Sequence, residues 1–121
     1  MSQDTVLSLE EALARIDHDW DVFQAMAKLF VDQGPKDLAE IKMALVVEDA
    51  AALARSAHRL KGALLQFCAP AALAATTEVE GMAKVGNITC AMEACAKLDT
   101  ELHRLLAVLR PMLNQGQGPS A

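Results

Sequence analysis

The chain has 121 residues, a formal net charge of -5 at pH 7, and a hydrophobic fraction of 53%. That fraction excludes a disordered chain, and the length suits one domain with a single core. The acidic balance argues against a nucleic-acid partner, and no apolar run is long enough to span a membrane. Three cysteines without a CxxC pair indicate neither a disulfide framework nor a zinc site. The polar, acidic N-terminus is unlike a secretory leader, so we expect a cytoplasmic protein.

The first half of the chain predicts three helices. Helix-forming residues dominate the composition, which has no Tyr, one Trp and three Phe, and this favours an all-α fold. A short amphipathic segment covers residues 7–16. Asp19 is suited to cap a second helix, which Gly34-Pro35 either breaks or kinks. Asp49 is suited to cap a third helix, which runs to about Phe67.

The second half predicts two more helices and completes a bundle. Pro70 can begin a helix that ends near Gly86, and Asn87 can cap a long last helix. Apolar residues of that helix recur at steps of three and four, as in a bundle seam. Short connections between long helices imply antiparallel neighbours, so we predict an antiparallel four-helix bundle with a short additional N-terminal helix. We assign an extension to residues 1–6, the bundle to 7–113 and a flexible tail to 114–121.

The third helix carries a histidine on the face that points away from the core. Its buried stripe steps by three and four through Leu53, Ala57, Leu60, Leu64 and Phe67. His58 lies about 140° from the centre of that stripe, which predicts an exposed imidazole. Gly62 and Leu65 project within about 40° of His58, and Arg55 and Lys61 within about 60°.

These neighbours make chemical sense around an imidazole. A neutral imidazole is a nucleophile near pH 7, and nearby cations favour the neutral ring and can stabilise a phosphoryl group placed on it. Gly62 weakens the helix but leaves room for an approaching active site. No acidic residue occurs between positions 50 and 77, and no metal or nucleotide motif is present. We therefore expect a site that holds a phosphoryl group while a partner drives the reaction.

The run LARSAHRLKGALLQFCA resembles the phosphohistidine motif of histidine-containing phosphotransfer (HPt) domains, which typically show His-x-Leu-Lys-Gly on an amphipathic helix. The likeness continues through LSLEEALARI near the start and Val79-Glu80 in the next helix, and spans about residues 7–113. Two positions depart from the family pattern. Ala63 stands where many members have a small hydroxyl residue, and Cys68 where many have glycine.

The resemblance implies roles for individual residues. His58 would be the phosphoacceptor, Lys61 would stabilise the phosphoryl group, and Gly62 would provide clearance for the partner. Gln66 would be a possible polar contact near the site. The implied partner-binding residues are Ala54, Arg55, Arg59 and Leu65.

The resemblance also implies a function. The chain would be a phosphorelay intermediate that accepts a phosphoryl group from a receiver-domain aspartate and passes it to another response-regulator receiver. Its partners would be such receivers and a hybrid sensor histidine kinase, with no nucleic acid or membrane, and we expect a monomer. It would be a carrier rather than an enzyme, without a cofactor of its own, since the magnesium would belong to the receiver.

Two other functions are compatible with the sequence. The chain could be a helical-bundle interaction module that binds receiver or kinase domains and is never phosphorylated, although the presence of His58 and Lys61 argues against this. It could also be an enzyme that uses Cys68, or a metal held by its histidines. His18, His58 and His103 lie on different elements without ligand spacing, which argues against a metal.

Overall fold

The fold is given by a computed structural model that describes residues 5–114. Five helices follow one another: α1 (Leu9–Ala14), α2 (Trp20–Val46), α3 (Ala50–Leu65), α4 (Pro70–Lys84) and α5 (Ile88–Met112). No strand occurs within residues 5–114. The prediction of an all-α fold is confirmed.

Four long helices form the bundle, and the short helix α1 precedes it. Helix α3 packs against α2 and α4, and α5 closes the ring by packing against α4 and α2. The core between them is built from Leu, Ala and Phe side chains, with Phe23, Phe67 and five leucines of α5 at its centre. This arrangement confirms the predicted four-helix bundle. None of the helices within residues 5–114 has the length and apolar character needed to cross a membrane.

The predicted N-caps are present at the helices that they were assigned to. A side-chain oxygen of each capping residue accepts a hydrogen bond from a backbone N–H in the first turn, at 3.0–3.2 Å. The three pairs are Asp19 with Val22, Asp49 with Ala52, and Asn87 with Cys90. Each cap satisfies a donor that has no partner within its helix, and so fixes where α2, α3 and α5 begin.

Helix α2 passes through Gly34-Pro35 without ending, so the predicted alternative of a break is wrong. Proline removes one hydrogen bond from the helix, but Pro35 itself is exposed. Gly34 is buried, and a Cβ there would lie 3.3 Å from two ring carbons of Phe30. The glycine therefore lets the Phe30 ring pack flat against its own helix, and tertiary packing keeps α2 continuous.

Helices α2 and α4 end in the same type of turn. Each turn has two backbone hydrogen bonds that run back into the last helical turn, the Schellman arrangement. After α2 the donors are Glu48 and Asp49, and after α4 they are Gly86 and Asn87, at 2.9–3.1 Å. The residue that must adopt a positive φ is Glu48 in the first turn (56°) and Gly86 in the second (73°).

The segment before α1 is tied to the turn between α3 and α4. The backbone N–H of Ala71 donates to the carbonyl of Thr5 at 3.0 Å, and that of Ser8 donates to the carbonyl of Cys68 at 2.8 Å. Thr5 therefore already contacts the bundle, although the sequence assigned it to the extension at 1–6. The remainder of that extension, residues 1–4, and the predicted flexible tail from residue 115 onward lie outside the described residues.

Candidate phosphoacceptor site

Helix α3 has the two faces that its sequence predicts. Leu53, Ala57, Leu60 and Leu64 are fully buried in the bundle. The side chain of His58 is 70% exposed on the opposite side. The helical register is therefore confirmed, and the imidazole is open to a macromolecular partner.

A carboxylate from the neighbouring helix α4 meets this imidazole. The side chain of Glu80 is only 4% exposed, and its Oε2 lies 2.8 Å from Nδ1 of His58. Lys61 Nζ donates to Oε1 of the same carboxylate at 2.5 Å. Lys84 Nζ, one turn further along α4, lies 3.5 Å from Oε2. The buried carboxylate of Glu80 thus contacts the histidine and both lysines.

The protonation state of Glu80 determines which imidazole nitrogen is free. Hydrogen bonding from Lys61 outweighs the effect of burial and, helped by His58, lowers the pKa of Glu80 from 4.5 to about 2. An ionised carboxylate can only accept hydrogen bonds, so the proton of the neutral ring resides on Nδ1 of His58 and is donated to Glu80. The lone pair is then on Nε2, the ring nitrogen that Glu80 does not contact.

The absence of acidic residues between positions 50 and 77 therefore does not leave the imidazole without a carboxylate partner. Glu80 is 22 residues away in sequence, and only the packing of α3 against α4 brings it to the site. A signal was present in the sequence, because Glu80 lies on the apolar stripe of α4 together with Thr76, Val79 and Ala83. A charged residue at a core position is uncommon unless it is paired.

The helix surface beside His58 is unobstructed. Gly62 is exposed, and a Cβ added there would meet no atom within 4 Å. No intramolecular contact therefore requires a glycine at this position. Leu65, one turn further on, is 50% exposed, and Gln66 is exposed at the C-cap of α3.

A shallow apolar groove continues this surface toward α2. Its volume is about 210 Å³, and its lining includes Leu29, Phe30, Ala63 and Gln66. Leu29 is 70% exposed and belongs to the same surface, although sequence reasoning did not select it. The groove and the exposed side chain of Leu29 add apolar area to the surface near the C-terminal end of α3.

The remaining predicted partner-binding residues differ in their exposure and in whether their charge is paired. Arg55 is exposed. Arg59 is also exposed, but its Nη1 lies 2.6 Å from Glu40 Oε2 and 3.6 Å from Oδ1 of buried Asp37, so its charge is compensated within the chain. Ala54 is only partly exposed and packs against the core, so it offers little area to a partner. It lies only about 60° around the helix from buried Ala57.

Within residues 5–114, no cluster of three or more His, Cys, Asp or Glu side chains is arranged to hold a metal ion. His103 contacts Asp99 of its own helix, and this pair is separate from the His58 site. The charged side chains that meet at the site are those of His58, Glu80, Lys61 and Lys84.

Comparison with known proteins gives two matches. A family model described as the Hpt domain matches residues 25–108, a range that contains His58, Lys61 and Glu80. The fold is also similar to the crystal structure of histidine-containing phosphotransfer protein B (HptB) from Pseudomonas aeruginosa PAO1. That likeness has a TM-score of 0.86 at 19% sequence identity, and covers 94% of this chain and 99% of the other. A search of curated proteins found no match.

Proposed function

Because the chain belongs to the Hpt domain family, we propose that it is a phosphorelay intermediate that carries a phosphoryl group on His58. It accepts this group from the aspartyl phosphate of a receiver domain and passes it to the aspartate of another response-regulator receiver. The observation that carries the proposal is the exposed imidazole whose Nδ1 proton is held by buried Glu80. Hpt domain proteins are phosphocarriers rather than catalysts, and we assign the same role to this chain.

The contact with Glu80 supports a transfer step that needs no proton exchange. The Nε2 lone pair of His58 attacks the phosphorus, and the N–P bond forms as the bond from phosphorus to the receiver's aspartate oxygen breaks. The aspartate leaves with the electron pair as a carboxylate. The proton stays on Nδ1, so the phosphorylated ring is an imidazolium whose positive charge faces Glu80.

Onward transfer is the reverse of this step. The carboxylate of a second receiver's aspartate attacks the phosphorus, the N–P bond breaks, and its electron pair returns to Nε2. The ring is again neutral with its proton on Nδ1. Since Glu80 stabilises the charged ring without taking its proton, the same site serves acceptance and donation, as a carrier requires.

Lys61 is the cation that we assign to the phosphoryl group. Its Nζ is anchored on Oε1 of Glu80 while Nδ1 of His58 bonds the other oxygen, so both groups are oriented by one carboxylate. An ammonium near the transferred group stabilises the negative charge of its oxygens. The receiver would supply the aspartate and the magnesium ion, so this chain needs no cofactor of its own.

The surface beside His58 supports docking of a receiver. Gly62 leaves the approach open, and Leu65 with the groove next to Leu29 offers apolar area. Arg55 adds a positive charge close to the imidazole, where the acidic pocket of a receiver would lie. We propose that receivers and a hybrid sensor histidine kinase reach this surface in the cytoplasm.

A labelling experiment tests the function. The protein is incubated with a hybrid kinase and labelled ATP, or with a phosphorylated receiver, and label that is acid-labile and base-stable is measured. We expect such label on the wild type and on His103→Gln, which removes another exposed histidine, and none on His58→Gln. Unlabelled protein with every kinase tested would contradict the proposal and favour the unphosphorylated interaction module. Full labelling of His58→Gln would also contradict it, because the phosphoryl group would then be carried by another residue.

A further inference from the structure

We propose that Lys84 of α4 is a second phosphoryl-binding cation, which contacts the phosphoryl group on His58 together with Lys61 of α3. This inference rests on the proposed function, and it assigns a positioning role to a residue outside the His-x-Leu-Lys-Gly motif. It follows from the positions and charges of four groups around Glu80.

The two lysines at Glu80 are held differently. Lys61 Nζ lies 2.5 Å from Oε1, and its side chain is 26% exposed. Lys84 Nζ lies 3.5 Å from Oε2, beyond the usual hydrogen-bond length, and its side chain is 62% exposed. Lys61 is therefore fixed, whereas Lys84 is free to move toward a new anion at little cost.

Lys84 and the acceptor ring approach the same carboxylate oxygen. That oxygen, Oε2 of Glu80, is the one that accepts the Nδ1 proton of His58. An ammonium on a flexible four-carbon chain beside that oxygen is within reach of a phosphoryl group on the same imidazole.

The charge balance of the phosphorylated site favours a contribution from this lysine. A phosphoryl group carries about two negative charges at neutral pH. Lys61, Lys84 and the protonated ring together supply three positive charges, and Glu80 carries one negative charge. The site therefore offers two positive charges in excess, which match the phosphoryl dianion. Without Lys84 these groups offer an excess of only one, and Arg55 on the preceding turn of α3 is the remaining cation near the imidazole.

Lys84 also has a structural role, which the test must distinguish from binding of the phosphoryl group. It belongs to the last turn of α4, where a cation interacts favourably with the helix dipole. A residue with only that role would affect stability but not the electrostatics of the phosphoryl group. The useful readout is therefore the protonation of the phosphoryl group itself, which reports the nearby positive charge directly.

The experiment uses phosphoramidate as a small phosphoryl donor, so that no partner protein is involved. The wild type, Lys84→Gln and Lys84→Arg are labelled, with Lys97→Gln as control because it removes an exposed lysine from α5. The second protonation of the phosphoryl group is then followed by ³¹P NMR as a function of pH. For Lys84→Gln we expect the proton affinity of the phosphoryl group to rise about threefold. We expect the rate of labelling to fall by a similar factor. Lys84→Arg and Lys97→Gln should behave like the wild type.

The outcomes separate this inference from the function on which it rests. If the wild type is labelled at His58 and Lys84→Gln titrates like the wild type, Lys84 does not contact the phosphoryl group, and the carrier function stands. If Lys97→Gln shifts the titration as much as Lys84→Gln, the effect is one of net charge, and the inference is also wrong. If neither phosphoramidate nor a phosphorylated receiver labels His58, both proposals fail together.

Discussion

Nδ1 of His58 and Oε2 of Glu80 lie 2.8 Å apart although their residues are 22 positions apart in the chain. The contact joins the exposed face of α3 to the buried face of α4, because Glu80 is almost fully buried while the imidazole is mostly exposed. The ring is therefore oriented by the bundle itself and not by residues of its own helix. The position of the imidazole therefore depends on the packing between α3 and α4.

Replacing Glu80 by glutamine tests the role of its charge. Glu80→Gln keeps a hydrogen-bond acceptor for Nδ1 but removes the negative charge that faces the phosphorylated ring. We expect labelling of His58 by phosphoramidate to slow about tenfold, which corresponds to one pKa unit of lost interaction. The matched control is Glu78→Gln, which removes an exposed carboxylate from the same helix. Equal rates for Glu80→Gln and the control would show that Glu80 does not assist transfer.

The low pKa of Glu80 makes the fold sensitive to acid. The pKa is about 2 in the folded protein, against an ordinary value of 4.5, so the carboxylate adds stability above pH 4.5 that is lost as the pH falls toward 2. We expect this group to contribute about 2–3 kcal/mol to the free energy of unfolding at neutral pH. Urea unfolding of wild type and Glu80→Gln, measured from pH 6 to pH 2.5, should show their difference shrinking across that range. A difference that does not change with pH would refute the assignment.

Lys61 supports both the fold and the phosphoryl group. On the helical wheel it lies about 80° from the core, so the sequence alone predicts that Lys61→Ala slows transfer without unfolding the bundle. The structure adds a cost in stability, because Lys61 is the strongest partner of buried Glu80. We expect Lys61→Ala to remain folded but to lose about 1–2 kcal/mol of unfolding free energy at pH 7.

A double variant separates these two effects. Once Glu80→Gln has removed the buried charge, Lys61→Ala should cost much less than it does alone. Chemical denaturation of both single variants and the double variant measures this coupling. If the double variant loses as much unfolding free energy as the two single variants together, the short contact between Lys61 and Glu80 contributes little to stability.

The sequence was sufficient at several positions where the spacing within one helix determined the outcome. The exposure of His58, the open position at Gly62 and the cap at Asp49 each follow from local spacing, and all three are observed. Contacts between helices could not be derived in this way. Neither the carboxylate of Glu80 at the imidazole nor the pairing of Arg59 with Glu40 can be read from the α3 motif, because both depend on how neighbouring helices are turned about their axes.

Gly62 offers a test of receiver docking that is independent of the chemistry. A Cβ added at this position meets no atom within 4 Å, and helical glycine is less favourable than alanine by about 1 kcal/mol. We therefore expect Gly62→Leu to stabilise the protein and to be labelled by phosphoramidate at the wild-type rate. Transfer from a phosphorylated receiver should slow at least about tenfold, since the added side chain lies where the partner approaches.

The control for Gly62→Leu adds the same side chain elsewhere. Ala107→Leu places it on an exposed position of α5, a helix that packs against α4 and α2. This variant should accept the phosphoryl group from the receiver as fast as the wild type does. Slow labelling of Gly62→Leu by phosphoramidate would instead point to a disturbed imidazole and would contradict the clearance role.

The two matching turns after α2 and α4 predict a stabilising substitution. Both turns use the same pair of backbone hydrogen bonds, but α2 has Glu48 at the positive-φ position where α4 has Gly86. A left-handed conformation costs a residue with a Cβ about 1 kcal/mol or more, and a glycine almost nothing.

We expect Glu48→Gly to raise the unfolding free energy by about 0.5–1 kcal/mol and Gly86→Ala to lower it by about 1 kcal/mol. Thermal unfolding should register the first change as a rise in Tm of a few degrees. Glu48→Ala provides the control, because it removes the same charge but keeps the strained backbone, and the strain explanation fails if Glu48→Gly is no more stable than this variant.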